Sequence, residues 1–162
     1  MSKETRKYEL TKNKTMIKGA VVYQIRALND FLDVTKGDLG GYVSSERNLP
    51  QDDNTWIYDN AAVFGNAFIE GNATIHENAL VYENAVVSDN AIIRGNAEIL
   101  EAARVYEDAI VGDSAKVFGN AHIRRTAQVS DYAQIKDYSL VSGSYIIGGH
   151  SVIGDDTELV DE

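Results

Sequence analysis

The sequence predicts an all-β protein: a coil of short strands built on a six-residue repeat, preceded by a small β head. Three observations predict it. From Ile57 to Leu159 a Val, Ile or Leu returns at every sixth position, eighteen steps without an insertion. Two positions before each stands a small residue, Ala without a break from Ala61 to Ala133, with Tyr145 the one large exception. Between these come two turn formers: Gly, Asp or Glu at most steps, then Asn in nine of the eighteen. A helix counts in 3.6 and a strand in 2, so neither period explains six, and a fixed period of this length marks stacked structural repeats.

Taken in order, residues 1–50 lack the period and form the head. Alternation in "AVVYQIRAL" (20–28) predicts a strand, with "YEL" and "TMIKG" able to pair with it, and "KGDLGGYV" (36–43) is a turn-rich approach to the repeats. Residues 51–162 form the repeat body. In each six-residue unit the β-branched residue favours extended backbone and points inward, while its two neighbours point outward. Asn is expected at the corner because it tolerates left-handed backbone, and Ala where the inner bend is crowded. Open ends of stacked strands need covering, and a cap is the expected role of the head.

Composition narrows the function. The chain has 162 residues, no Cys and a net charge of −10, which rules out disulfides, a thiolate nucleophile and Cys-ligated metal. Residues 1–50 carry nine Lys/Arg and six Asp/Glu; residues 51–162 carry six against nineteen. So acidic a body repels phosphate backbones, and direct nucleic-acid binding is not expected. The charged start lacks the apolar run of a signal peptide, and no segment approaches the ~20 apolar residues of a membrane span. A cytoplasmic location and no membrane partner are expected.

Over 54–160 the repeat resembles the hexapeptide repeat of the left-handed parallel β-helix superfamily. The resemblance implies a three-sided prism with eighteen residues per coil, hence six coils here, and its handedness. The segment "GDLGGYVSSERNLPQDDNTWIYDNAAVFGNA" also resembles small phage and prophage proteins that join such a head to NAxVxGNA repeats. That likeness implies a phage-encoded protein in the host cytoplasm. Proteins with this repeat are commonly trimers of parallel prisms. Many are acyltransferases that use coenzyme A or an acyl carrier and a His base between subunits, often with a loop leaving the prism. No such loop interrupts this frame. A carbonic anhydrase on this fold gathers three His at a subunit interface, whereas His76, His122 and His150 fall on different sides here, and no metal site is expected.

Eighteen residues per coil align outward side chains into columns. Trp56, Ile92 and Ile110 on the first face, with Phe64, Leu80, Tyr82, Leu100 and Phe118 on the second, form apolar ladders expected to serve self-association, a trimer by resemblance. On the third face Arg104 lies beneath His122 and Tyr106 beneath Arg124, with Arg125 at the adjoining corner. Stacked cations on an acidic body suit an anionic ligand such as a nucleotide, with Tyr106 free to stack on it. Asp or Glu fills eleven of the eighteen first corner positions, including Asp59 over Glu77. These acids could hold a divalent cation, imitate nucleic-acid charge toward a basic host protein, or serve as solvated corners. The reading placed first is a non-catalytic binding protein that needs no cofactor. It would sequester a host component, either an anionic ligand or a basic protein, plausible for a counter-defence factor. The alternative is a coenzyme-A-dependent acyltransferase with His122 as base.

Overall fold

In the computed structural model, which describes residues 5–161, the chain is a left-handed parallel β-helix with an N-terminal antiparallel hairpin. Each side of the prism is one parallel sheet of two- or three-residue strands whose partners lie eighteen residues apart, as Ile57 to Ile75 and Val105 to Ile123. Two sides hold six strands each; the third is a nine-stranded sheet that takes in the head. The inward residues from Ile57 to Ile147 are buried, and only Ile153 and Leu159, in the last coil, are partly exposed. Ala61 to Ala133 are fully buried at the bends, where a larger side chain has no room.

The corners assign the left-handed conformation differently from the sequence expectation. It is the first corner residue, the one before Asn where Asn is present, that has positive φ: Asp59, Glu77, Glu83, Asp89, Glu101, Glu107, Asp113, Arg125, Asp131, Asp137 and Asp155, with Gly at most other turns. Asn instead stacks on Asn one coil away, Asn72 Nδ2 donating to Asn90 Oδ1 at 3.1 Å and Asn66 Nδ2 to Asn84 Oδ1 at 3.3 Å. A non-Gly residue in this region costs roughly 1–2 kcal/mol. Most of the acids offset it by a recurring bond, in which the carboxylate accepts the amide N–H of the residue one coil on. Glu83 Oε2 takes the Glu101 N–H at 2.8 Å, Glu101 Oε2 the Gly119 N–H at 2.6 Å, and Asp89 Oδ2 the Glu107 N–H at 3.0 Å. The corner acids are therefore structural acceptors, and among the described residues no group of three or more His, Asp or Glu is arranged to hold a metal ion.

The head is built into the prism. Strand β1 (Tyr8–Ile17) pairs antiparallel with β2 (Ala20–Ala27), β2 with β3 (Leu39–Val43), and β3 pairs parallel with Ala62–Val63. Val43 is thus a further inward rung below Val63, fully buried. Gly40 and Gly41 explain the glycine pair of the lead-in. A Cβ on Gly40 would sit 2.7 Å from Trp56 Cζ2, and one on Gly41 would overlap the Ala61 carbonyl and Ile57 Cγ2. Trp56 closes the lower end, edge-on to Phe31 at 5.1 Å and to Tyr8 at 6.3 Å. Lys7 seals the seam, its ammonium donating to Asp53 Oδ1 at 3.1 Å and to the Thr55 carbonyl at 2.9 Å.

Docking of the head changes the expected interface. Trp56 is 1% exposed and Phe64 4%, so both are covered within the chain and neither is available to another copy. Phe64 stacks on Tyr82 at 5.0 Å, and with Leu80 they pack against Ile17, Ala20, Val22 and Tyr42 of the head. Lys18, in the hairpin turn, reaches Glu98 Oε1 at 3.0 Å beside the Tyr82 hydroxyl, which donates to the same oxygen at 3.0 Å. Ile92, Leu100, Ile110 and Phe118 remain half-buried on the sides.

The corner bond predicts a stability order. Glu101→Ala removes the acceptor and keeps the strained backbone, whereas Glu101→Gly removes the acceptor and relieves the strain. Urea denaturation should show both below wild type, with the Gly variant about 0.5–1 kcal/mol above the Ala variant. An Ala variant as stable as wild type would contradict the account.

Candidate functional site

A groove of about 370 Å³ runs along the third face, lined by Phe68, Glu70, Val86, Ser88, Arg104, Tyr106 and His122. Its depth comes from side-chain size along the columns. Val86 and Ser88 are short and lie between Phe68 and Glu70 below and Arg104 and Tyr106 above, so the second row is a dip in an otherwise level sheet. Phe68 also borders a second hollow of about 530 Å³ formed with Ser45, Arg47, Gly65 and Asn66, so the two run on from each other along the prism axis. Arg47 belongs to the short 3-10 turn Glu46–Asn48 of the head. Asn48 Nδ2 fixes that turn to the prism by donating to the Ala67 carbonyl at 2.7 Å.

Four of the residues expected at the site form a square. Arg104 pairs in register with His122 on the neighbouring strand, and Arg124 lies two residues beyond His122 on the same strand. Tyr106 occupies the remaining corner, its hydroxyl 3.4 Å from His122 Nδ1 and its ring edge-on at 5.9 Å between centroids. Rows are ~4.8 Å apart and alternate residues along a strand ~6.6 Å, so all four groups reach one small ligand. Arg124 Nε donates to Ser142 Oγ at 3.0 Å, leaving the end of its guanidinium toward solvent. Among the described residues no hydrogen bond or ion pair engages the Arg104 guanidinium.

Arg125 does not join them. It takes the corner conformation, gives its amide N–H to Glu107 Oε2 at 2.7 Å, and turns its guanidinium toward the Asp161 carbonyl at 2.9 Å. The other two histidines lie elsewhere. His76 stacks on Tyr58 at 4.5 Å on the first face, and His150 stacks on Tyr132 at 5.0 Å. Phe68, Glu70, Val86 and Ser88 are legible in the sequence as the lower rungs of the same eighteen-residue columns, though not as lining of the site. Side-chain volume, which makes their rows a dip, is not part of the repeat.

His122 is held below the usual histidine range, first by burial and then by the positive charges of Arg104 and Arg124. It is therefore neutral at pH 7, with one ring nitrogen carrying a lone pair. A histidine depressed in this way contributes stability above pH 6.5 that is lost as pH falls through its folded value.

No protein-family model matches the sequence. Over 59 residues the chain is 39% identical to an Escherichia coli (strain K12) protein named the uncharacterized acetyltransferase YdcK. The match covers 36% of this chain and 18% of that protein, so the chain spans under a fifth of its relative's length. No helix is long and apolar enough to cross a membrane among the described residues.

Removing one cation should relieve His122. In a histidine-detected NMR titration, Arg104→Gln should raise the His122 midpoint toward 6.5 and leave that of His76 unchanged. An unmoved His122 midpoint would show that the square is not electrostatically coupled.

Proposed function

We propose that the protein is an acyltransferase that uses an acyl-coenzyme A donor, with the third-face groove as its site and His122 as general base. The observation that carries this reading is His122 itself: a neutral imidazole, with arginines in the next row and on the same strand, at the head of an open groove. The name of the Escherichia coli relative, an acetyltransferase, points the same way. This reading assigns the lone pair to Nε2, with Nδ1–H turned to the Tyr106 hydroxyl oxygen 3.4 Å away. In the reaction His122 Nε2 takes the proton of an acceptor N–H or O–H as the nucleophile attacks the thioester carbonyl. The C–S bond then breaks, and the departing thiolate takes the proton from the imidazolium, giving acylated acceptor and free thiol. Copies associate through the half-buried ladders Ile92–Ile110 and Leu100–Phe118, the apolar strips that the head leaves uncovered.

One observation favours a second reading. Among the described residues no carboxylate hydrogen-bonds to the His122 ring, the orienting contact that a catalytic imidazole commonly has. A phage-type binding protein that captures an anionic host component needs only the cations and the groove.

Thiol release from acetyl-coenzyme A, followed with a chromogenic thiol reagent and a panel of amines and alcohols, decides between them. The acyltransferase reading expects turnover that falls about 10²–10⁴-fold in His122→Ala while donor binding persists. Saturable binding without turnover for any acceptor would favour capture instead.

A further inference from the structure

The position of the arginines relative to His122 constrains what they can hold. The donor's reacting carbonyl must lie within reach of His122 Nε2, and the pantetheine arm separates that carbonyl from the diphosphate by more than two coil spacings of ~4.8 Å. Arg104 is one coil from His122 and Arg124 is two residues away on the same strand. Neither can hold the diphosphate of a donor whose acyl group is at His122. The groove leaves the donor another course, downward over Val86 and Phe68 toward the hollow beside Arg47.

We propose that Arg104 and Arg124 bind the acyl acceptor, and that this acceptor is a small acid carrying a carboxylate or phosphate a few bonds from its nucleophilic amine or hydroxyl. This rests on the acyltransferase reading and names its second substrate class. Arg104 and Arg124 stand diagonally across the square, ~8 Å apart at the backbone from the row and residue spacings. Arg104 lines the groove, and Arg124, held at its Nε by Ser142, keeps its terminal nitrogens for a ligand. An anion between the two corners is within the length of both side chains, and a guanidinium is well shaped for carboxylate or phosphate oxygens. The anion then sits beside His122, so a nucleophile a few bonds away falls at the imidazole. Such an acceptor also explains why two arginines with no acid paired to either among the described residues persist on an acidic prism. Without a ligand, close like charges on one face are unfavourable. The acid corners nearby are already engaged, Glu107 by the Arg125 amide.

The same site separates the two substrates by competition. Calorimetric titration of inorganic phosphate and of acetate into the full chain, alone and saturated with acetyl-coenzyme A, reads both sites at once. Expected is saturable binding of at least one anion that weakens at least tenfold in Arg104→Gln and Arg124→Gln. Its affinity should change less than twofold when acetyl-coenzyme A is present. In turnover assays Arg104→Gln should raise KM for an acidic acceptor at least tenfold while KM for acetyl-coenzyme A stays within twofold. Ser142→Ala, at the hydroxyl that fixes Arg124, should give a smaller rise of the same kind. Mutual exclusion of the anion and acetyl-coenzyme A would overturn the acceptor assignment while leaving the acyltransferase reading standing. Anion binding with no acetyl-coenzyme A binding would overturn both, and a preference for an uncharged isostere, such as the methyl ester of the acid, would overturn the assignment alone.

Discussion

The structure depends on one register: backbone hydrogen bonds that join each coil to the next, from an N–H to the carbonyl just before its counterpart. Arg104 N–H reaches the Ala121 carbonyl at 2.9 Å and Tyr106 N–H the Ile123 carbonyl at 3.0 Å, and the same spacing recurs along all three sides. Everything else follows from it. Inward Val and Ile stack into a continuous core, Ala fills the bends, and outward residues are forced into columns. Most corner acids extend the same logic to side chains, their carboxylates supplying the acceptor for the N–H of the left-handed residue one coil on. A shift by one residue would turn every inward rung to solvent, so the frame tolerates substitution at outward positions and not displacement.

Because the frame is so strict, much of the fold was readable from the chain. Each inward rung from Ile57 to Ile147 is buried, as the period of six requires. The head was less legible for a physical reason. The alternation in residues 20–28 identified β2, but nothing in a periodic pattern says where a non-periodic hairpin docks. Trp56 and Phe64 therefore read as exposed rungs of apolar ladders, when the head already covers them. The corner misassignment is similar. Asn is the residue whose backbone preference suggests the left-handed region, yet the adjacent corner residue takes it, and where that residue is Asp or Glu its carboxylate commonly meets the next coil's amide.

The site divides in the same way. Its square was legible because Arg104 and His122, and Tyr106 and Arg124, are eighteen residues apart. The groove was not, since it arises from the small volumes of Val86 and Ser88 between larger rows. Arg125 was legible as a cation but not as a corner residue whose backbone fixes it away from the groove. A scaffold that repeats identically leaves its variable slots as the place where chemistry can differ, and here Arg104 and Arg124, two of the body's six Lys/Arg residues, fall on neighbouring rows of one face.

The central claim is that the coil register alone brings the square together. Inserting a second copy of residues 73–90 after Asp108 adds one whole coil in frame and places Val86 and Ser88 counterparts between Arg104 and His122. The account predicts an unchanged β circular-dichroism signature, cooperative unfolding, and a His122 titration midpoint raised toward its ordinary value because Arg104 now lies two coils away. A folded insertion variant whose His122 midpoint matches wild type would contradict it.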